Sequence, residues 1–246
     1  MEGTMAAVYD AAFYNEQSPG SSTSAGIVVP LALALSPFRS VVDVGCGVGT
    51  WAAEFQKHGL DILGIDGAYV DKSLLKISPD YFLERDLREP ISLARQFDLA
   101  VSLEVAEHLP ESRAESFVAD LTNLAPCVLF SAAIPGQSGT GHINEQFLSY
   151  WVKLFGPHGY RPVDAIRPTI WNDSRVEWWY RQNIVLFVRH GHPTIKEPTG
   201  APDYIHPELF SRFRVPVAAP PAMGTSALLR ALPGAILKSA KAKIGL

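Results

Sequence analysis

The stretch of sequence that decides the fold reads Val41-Val42-Asp43-Val44-Gly45-Cys46-Gly47-Val48-Gly49-Thr50. In it, an apolar run of strand length passes directly into a glycine-rich turn, and a segment of helical period begins at Thr50. Glycines allow positive φ angles and a close approach of the backbone to a ligand, and a helix N-terminus presents free N–H groups. The stretch therefore predicts a strand–turn–helix unit that binds an adenosyl group or a phosphate. A tight turn without a ligand is the alternative.

The spacing of the glycines distinguishes between classes of cofactor. A dinucleotide-binding turn has the pattern Gly-x-Gly-x-x-Gly, whereas here the third glycine, Gly49, comes one residue early and is followed by Thr50. In addition, Asp43 places an acid inside the strand that precedes the first glycine. This spacing argues against a nicotinamide-dependent dehydrogenase.

Around this unit, apolar runs of strand length alternate with segments of helical period. The candidate strands cover residues 40–44, 61–65, 81–84, 98–103, 127–134, 162–170 and 182–189. The candidate helices cover residues 50–58, 72–77, 91–96, 113–124 and 145–158. Such alternation predicts an α/β fold with a doubly wound, mostly parallel seven-stranded sheet that is buried on both faces. The connection over 171–180 predicts a final antiparallel hairpin.

Length and composition limit what the chain can be. The 246 residues suffice for one large domain with an extension, and 47% hydrophobic with 19% charged residues is typical of a globular protein. The net charge of −4 lacks the cationic excess that nucleic-acid binding requires. The chain has two cysteines, which favours a reducing compartment, and its most apolar early run is too short to span a bilayer. We therefore expect a cytoplasmic protein without stable membrane insertion.

The chain is predicted to have three segments. Residues 1–35 form an N-terminal helical segment that acts as a lid, with Tyr14 near the substrate, and a frayed terminus is the alternative. Residues 36–190 form the cofactor-binding domain. Residues 191–246 form a proline-rich extension that ends in a short basic helix within 225–244. We expect that helix to be solvated, and docking on an anionic membrane or a partner is the alternative.

Four segments in order resemble the class I S-adenosylmethionine-dependent methyltransferases. They are the acid and glycine turn at 43–49, Asp66-Gly67 at the end of the second strand, Asp86-Leu87 after the third, and the fourth-strand segment at 97–109. The resemblance covers about residues 38–190. It implies a Rossmann-like methyltransferase fold, methyl transfer as the activity and S-adenosylmethionine as the cofactor.

The same resemblance implies which residues contact the cofactor. Asp66 would receive the ribose hydroxyls, since a carboxylate accepts two O–H bonds, and Asp86 would lie beside the adenine. The implied set is Asp43, Gly45, Cys46, Gly47, Gly49, Asp66, Gly67, Asp86, Leu87, Leu103, Glu104 and Val105. In the alternative, Asp66 and Asp86 are ordinary loop carboxylates and Cys46 only fills space in the turn.

A narrower resemblance connects the chain with bacterial methyltransferases found near glycan-assembly enzymes. It rests on Gly-His-Ile-Asn-Glu-Gln at 141–146, Tyr-Trp at 150–151, Ile-Trp-Asn-Asp at 170–173 and Val-Glu-Trp-Trp-Tyr-Arg-Gln-Asn at 176–183. The residues that we expect near the acceptor are Tyr14, Asn144, Glu145, Trp171, Trp178 and Trp179. For the aromatic members, packing in the core or hairpin is the alternative.

Two histidines are candidates for the catalytic base, because methylation of a hydroxyl requires removal of its proton. His142, in the glycine-rich loop after the fifth strand, is the first candidate. His108, after the fourth strand, is the second, and packing is its alternative role. His142, Asn144 and Glu145 could also hold a divalent metal, but three donors within four positions are not specific, and Asn144 could equally cap the next helix. We therefore expect no metal.

The predicted function is methyl transfer from S-adenosylmethionine to a hydroxyl of a sugar, a glycan or another small polar metabolite. N-methylation of an amino sugar or small molecule, which needs less of a base, is one alternative. A cofactor-binding scaffold without catalysis is the other. The expected partners are a small-molecule or glycan acceptor and no nucleic acid, and self-association into a homodimer is left open.

Overall fold

A computed structural model describes residues 11–195 and 203–212 of the chain, with side chains over 19–195 and 203–211. The chain divides into two compact units, residues 1–209 and 210–246, and the sheet lies in the first. The described strands are β1 (Ser40–Val44), β2 (Asp61–Asp66), β3 (Phe82–Glu84), β4 (Leu99–Leu103), β5 (Cys127–Ser131), β6 (Tyr160–Val163) and β7 (Val185–Arg189). The described α-helices are α1 (Ala11–Leu35), α2 (Thr50–Lys57), α3 (Glu111–Leu124), α4 (Leu148–Phe155), α5 (Arg167–Ile170), α6 (Trp178–Asn183) and α7 (Pro207–Arg212). Single 3-10 turns lie at Lys72–Leu74, Pro79–Tyr81, Ala106–His108 and Gly156–His158.

The seven strands form one sheet in the order β3-β2-β1-β4-β5-β7-β6. Neighbouring strands are parallel except that β7 runs antiparallel to both β5 and β6. This arrangement confirms the predicted doubly wound, mostly parallel sheet. The strand order reverses at the β1–β4 boundary, and in such sheets ligands bind outside the carboxyl ends of the strands at that point.

Helices cover both faces of the sheet, because its strands are apolar on both sides. On one face, α1 buries Ala25, Val28, Val29 and Ala32, whose spacing of three and four residues defines one side of a helix. On the other face, the rings of Phe155 in α4 and Phe187 in β7 stack with their centroids 3.8 Å apart. None of the described helices is both long enough and apolar enough to cross a membrane.

Several predicted elements differ from the structure: the helix over 72–77 is a single 3-10 turn at Lys72–Leu74, the strand over 127–134 ends at Ser131, and the strand over 182–189 begins at Val185. Two further predictions fail for reasons that the structure shows. The strand predicted over 162–170 ends at Val163, and α5 follows because Asp164 pairs with Arg167 through bonds of 2.6 and 2.9 Å. The helix predicted over 91–96 is absent, since the Ile91 amide donates to the buried Asp120 carboxylate instead of starting a helix. Both outcomes depend on side-chain partners that local apolar patterns do not reveal.

The last part of the described chain also differs from the predicted hairpin. β6 and β7 do pair antiparallel, but their connection contains α5 and α6 rather than a simple turn. Beyond β7, the Asp203 carboxylate accepts a hydrogen bond from the Ser149 amide and Leu209 is buried. The basic helix predicted within 225–244 lies outside the described residues.

Candidate active site

The glycine turn between β1 and α2 lies against the end of β4. Gly45 has φ +83°, and a Cβ at that position would lie 2.3 Å from Cγ2 of Val105. Gly49 has φ +80°, and a Cβ there would lie 2.9 Å from Cγ1 of Ile77. Both positions therefore require glycine for two reasons, namely a left-handed backbone and the close approach of a neighbouring side chain.

Asp43 is buried beneath this turn and connects it to the following helix. Its Oδ2 accepts a hydrogen bond of 3.2 Å from the Ala52 amide in the first turn of α2. Burial raises the pKa of Asp43 to about 7, the Ala52 hydrogen bond lowers it, and the charge of Asp66 raises it further. Through this hydrogen bond, the Asp43 carboxyl group holds the glycine turn in place relative to α2.

Asp66, at the end of β2, is also buried, and its carboxylate binds the turn directly. One oxygen accepts from the Gly47 amide at 2.6 Å, and the other accepts from the Gly67 amide at 2.7 Å and from the Tyr69 hydroxyl. Burial raises the pKa of Asp66, while these hydrogen bonds lower it. Because a carboxylate offers about four lone-pair positions, these contacts leave capacity for one further donor.

The other cofactor residues predicted from the sequence have different surroundings. Asp86 is exposed and pairs with Arg88, which lowers its pKa, whereas Leu87 is buried in the core. Cys46 is buried beside the Cα of Gly64, and burial raises the pKa of its thiol well above the usual value. Cys46 therefore fills space in the turn rather than presenting a reactive thiolate.

Glu104, directly after Leu103 at the end of β4, is the centre of a buried polar network. Its Oε2 accepts from the Gln137 side chain at 2.6 Å and its Oε1 accepts from Asn183 at 3.0 Å. Glu104 has φ +57°, and the only other described non-glycine residue with positive φ, Ser138, lies in the adjoining loop. Backbone in this region costs about 1–3 kcal/mol per residue and is concentrated at functional sites.

Glu107 follows in the 3-10 turn after β4 and is completely buried. Neither of its carboxyl oxygens makes a hydrogen bond of good geometry with the described residues. Burial raises the pKa of Glu107 well above its ordinary value, the charge and the close carboxyl group of Glu104 raise it further, and the nearby backbone of Glu107 and Ala133 lowers it. Such a carboxyl group is costly in a purely structural role.

The two candidate histidines lie side by side. The ring centroids of His108 and His142 are 4.9 Å apart in an edge-to-face arrangement. Burial, followed by the His142 charge, lowers the pKa of His108 to about 4, while a hydrogen bond with the Gly141 backbone raises it. His142 and the turn that holds His108 therefore form one cluster at the carboxyl end of β4.

The loop that carries His142 is held in place by Glu145. The Glu145 carboxylate accepts from the amides of Gly136 and Ser138, both at 2.8 Å, and lies 2.9 Å from Nδ1 of His142. Gly139 leaves room for the imidazole, because a Cβ there would lie 2.2 Å from its Nε2. The loop is thus a built structure that fixes one orientation of His142.

Comparison with known proteins identifies this architecture. Residues 14–126 match the family model described as a methyltransferase domain. The chain has a class I methyltransferase fold. The family match and the fold together indicate an enzyme that uses S-adenosylmethionine, as the sequence resemblance implied. A comparison with curated protein sequences finds no match.

Solved structures of methyltransferases share this fold at low sequence identity. Magnesium protoporphyrin IX methyltransferase ChlM from Synechocystis PCC 6803, with bound SAH, is 19% identical with a TM-score of 0.52, over 73% of this chain and 88% of its own. The sugar N-methyltransferase KedS8 from Streptoalloteichus sp. ATCC 53650 is 15% identical with a TM-score of 0.57, over 72% and 91%. DesVI from Streptomyces venezuelae is 15% identical with a TM-score of 0.53, over 72% and 95%.

The residues present in this methyltransferase fit an adenosyl cofactor. The left-handed glycine turn and the buried Asp66 carboxylate meet at the carboxyl ends of β1 and β2, next to the point where the strand order reverses. Gly45 leaves space at the base of this crevice, because the side chain of a larger residue would overlap Val105. The turn, Asp66 and the end of β4 would hold the cofactor, which supplies the methyl group.

The residues predicted near the acceptor take varied places in the methyltransferase. Trp178 is buried with Ile134 and Leu209, so it packs in the core, and Trp179 contacts its ring at 5.7 Å. Trp171 is half-buried against His206. The backbone of Tyr14 lies in α1, but its side chain is outside the described part of the chain.

Asn144 lies close to the cluster but does not cap a helix. Its amide donates to the Glu107 carbonyl at 3.0 Å, and α4 begins only at Leu148, which excludes the alternative role as an N-cap. Its side-chain oxygen accepts from Gln146, and its side-chain nitrogen has no partner among the described residues. Asn144 therefore helps to join the loop to the turn that carries Glu107.

Sequence reasoning gave no role to three residues that belong to the candidate site. Gln137 and Asn183 bind Glu104 and each other, and Glu107 is buried next to His108 in the turn after β4. Glu107 carried a usable signal, because it is the second of two acids after an apolar strand and directly precedes a candidate histidine. Gln137 and Asn183 carried none, since their contacts span 33 and 79 residues of chain.

Proposed function

We propose that this methyltransferase transfers the methyl group of S-adenosylmethionine to a hydroxyl of a sugar, a glycan or another small polar molecule. The observation that carries the proposal is the 2.9 Å contact between His142 and Glu145 at the carboxyl edge of the sheet. A histidine oriented by a carboxylate is an arrangement suited to removing a proton from an acceptor hydroxyl.

The hydrogen bonds of Glu145 define the tautomer of His142. An ionised carboxylate only accepts hydrogen bonds, so Nδ1 of His142 must donate, as the Gly136 and Ser138 amides do. In the neutral ring Nε2 is then the nitrogen that can accept a proton. Glu145 acts as a positioning residue, and His142 is the group that meets the acceptor.

The proposed reaction converts an acceptor hydroxyl and S-adenosylmethionine into a methyl ether, S-adenosylhomocysteine and a proton. The methyl carbon moves in line from sulfur to the acceptor oxygen, which must be aligned and must lose its proton. S-adenosylmethionine supplies the methyl group, and its sulfur keeps the electron pair of the broken bond.

The chemistry of the His142–Glu145 pair bears on which atom of the acceptor is methylated. Neutral nitrogen acceptors already carry a free electron pair and need less help from a base, so the His142–Glu145 pair favours oxygen. Among the structural neighbours, KedS8 is a sugar N-methyltransferase, which makes methylation of an amino sugar the second candidate. We further propose a cytoplasmic enzyme that acts on small acceptors or glycans and not on nucleic acid.

The proposal assigns roles to the cofactor residues as well. The Gly45–Gly49 turn admits the cofactor, Asp66 contacts the ribose and Leu87 lies on the adenine side with Asp86. Leu103, Glu104 and Val105 line the methionine end. These are the roles that the sequence resemblance implies, and the crevice between the glycine turn and the end of β4 supports them.

The experiment follows methyl label from S-adenosylmethionine into fractions of a cell extract in the presence of the purified chain. We expect label in polar small molecules or glycolipid, and its loss in Asp66→Ala. The His142→Ala variant should lower transfer by at least about 100-fold, which is the usual contribution of a general base. The matched control is His158→Ala, since His158 is exposed and lies in the 3-10 turn before β6, outside the histidine cluster.

Two results would contradict the proposal. One is label that enters only protein or nucleic acid. The other is transfer by His142→Ala at the wild-type rate while His158→Ala behaves in the same way, because the imidazole would then have no part in the reaction.

A further inference from the structure

We infer that Glu107, His108 and His142 form a binding site for one divalent transition-metal ion. One potential ligand atom from each of the three residues lies within 4.8 Å of the other two. Both Glu107 oxygens are buried and make no hydrogen bond of good geometry with the described residues, so the carboxyl group can become a ligand when it gives up its proton on metal binding. This set differs from the one considered from the sequence, because it uses Glu107 and His108 and not Asn144 or Glu145.

The local fold holds the three ligands together although the chain separates them. Glu107 and His108 are neighbours in the 3-10 turn after β4, whereas His142 comes from the loop after β5. The amides of Ile143 and Asn144 donate to the Glu107 carbonyl at 2.9 and 3.0 Å. The backbone next to His142 is therefore tied to the backbone of Glu107.

Each histidine also makes a hydrogen bond of the kind that holds a metal-binding imidazole in place. His142 contacts Glu145 through Nδ1, and His108 makes a hydrogen bond with the Gly141 backbone. Ligating histidines almost always give their second ring nitrogen to a carboxylate or a backbone carbonyl, which fixes the ring and its tautomer. The burial of Glu107 adds a second argument, since a cation would offset the cost of an unpartnered carboxylate.

The donor atoms select the class of ion. Two imidazoles and one carboxylate suit zinc, iron, cobalt or manganese, whereas magnesium and calcium prefer oxygen ligands. Three protein ligands leave coordination positions open, as in catalytic metal sites. We therefore expect a first-row divalent transition metal and not magnesium.

The role of the ion, unlike its binding, rests on the proposed function. An acceptor hydroxyl at an open position would be acidified by the ion and would release its proton to solvent before its oxygen takes the methyl group. In this loaded state His142 is a ligand, and in the metal-free state it is the proton acceptor. Glu145 orients the imidazole ring of His142 in both states.

The test titrates the metal-stripped full chain with Co²⁺ and follows the visible absorption of the bound ion. We expect one Co²⁺ per chain, displaced by Zn²⁺ but not by Mg²⁺. Glu107→Gln and His142→Ala should each weaken Co²⁺ binding by more than about tenfold. Even the loss of a residue that only hydrogen-bonds to a metal ligand weakens metal affinity by that much. The matched control, His158→Ala, should bind Co²⁺ as the wild type does.

Folding is checked in every variant by thermal unfolding and by binding of S-adenosylhomocysteine. Glu107→Gln has the same shape as the native side chain and removes a buried acid, so we expect it to fold. A wild-type chain that binds no Co²⁺, or a folded Glu107→Gln that binds it with wild-type affinity, would overturn the inference.

The outcomes separate this inference from the proposed function. Stoichiometric Co²⁺ binding that depends on Glu107 supports the site even if no hydroxyl acceptor is found. Methyl transfer to oxygen that survives metal removal, in a chain that binds no Co²⁺, would keep the proposed function and refute the metal site.

Discussion

At the scale of single residues, buried acids dominate the site. Asp43, Asp66, Glu104 and Glu107 all have raised pKa values, and in each case burial is the largest cause. They differ in their partners, because the first three accept hydrogen bonds of good geometry whereas Glu107 accepts none of that quality from the described residues. That difference separates acids that build the turn and network from the acid that is available for a ligand.

Asp43 should make stability fall as the pH rises. Its pKa is raised from 3.8 to about 7 in the folded chain, so between these values the native state binds a proton that the unfolded state has lost. The sign of the linkage then gives stability that is complete below about pH 4 and is lost as the pH rises towards 7. Asp43→Asn keeps an acceptor for the Ala52 amide but cannot ionise.

Urea unfolding at pH 5 and pH 7 measures this effect. We expect the wild type to lose roughly 2 kcal/mol more than Asp43→Asn over this interval, at 1.36 kcal/mol per pH unit for one proton. Equal losses in the two proteins would show that the Asp43 carboxyl group does not titrate in this range.

At the scale of elements, the glycine turn shows why local patterns were informative. A left-handed turn between an apolar strand and a helix needs glycine at fixed positions, and those letters are visible in the sequence. The surroundings of Trp178 were not visible, because its burial against Ile134 and Leu209 joins residues far apart in the chain. The aromatic run over 176–183 therefore could not be divided into packing and contact residues beforehand.

Two glycines with the same φ angle allow the cost of backbone strain to be measured apart from the cost of a close side-chain contact. Gly45 and Gly59 both have φ +83°, but a Cβ would overlap Val105 only at Gly45, whereas Gly59 faces open space. Gly59→Ala should cost about 1 kcal/mol of stability and keep S-adenosylhomocysteine binding. Gly45→Ala should cost more and should lose that binding.

Calorimetric titration with S-adenosylhomocysteine, together with urea unfolding, checks this pair. The account of the turn would be wrong if Gly45→Ala bound the ligand as tightly as Gly59→Ala does.

At the scale of the whole molecule, the type of sheet was predictable and the active-site cluster was not. Alternating strands and helices restrict a chain to few topologies, and four motif segments in order, from the glycine turn to the fourth strand, sufficed to recognise the fold. The cluster instead brings His142 across to Glu107 and His108 through the loop after β5. No periodic pattern encodes such a contact, since it depends on how far the loop folds back over the sheet edge.

The most direct test of the central claim uses S-adenosylmethionine with a ¹³C-labelled methyl group and identifies by NMR the atom that receives it. We predict a methyl group on oxygen in a small polar or glycan product, formed by the wild type and by His158→Ala but not by His142→Ala. A methyl group on nitrogen, or no labelled product from a chain that binds the cofactor, would contradict the account.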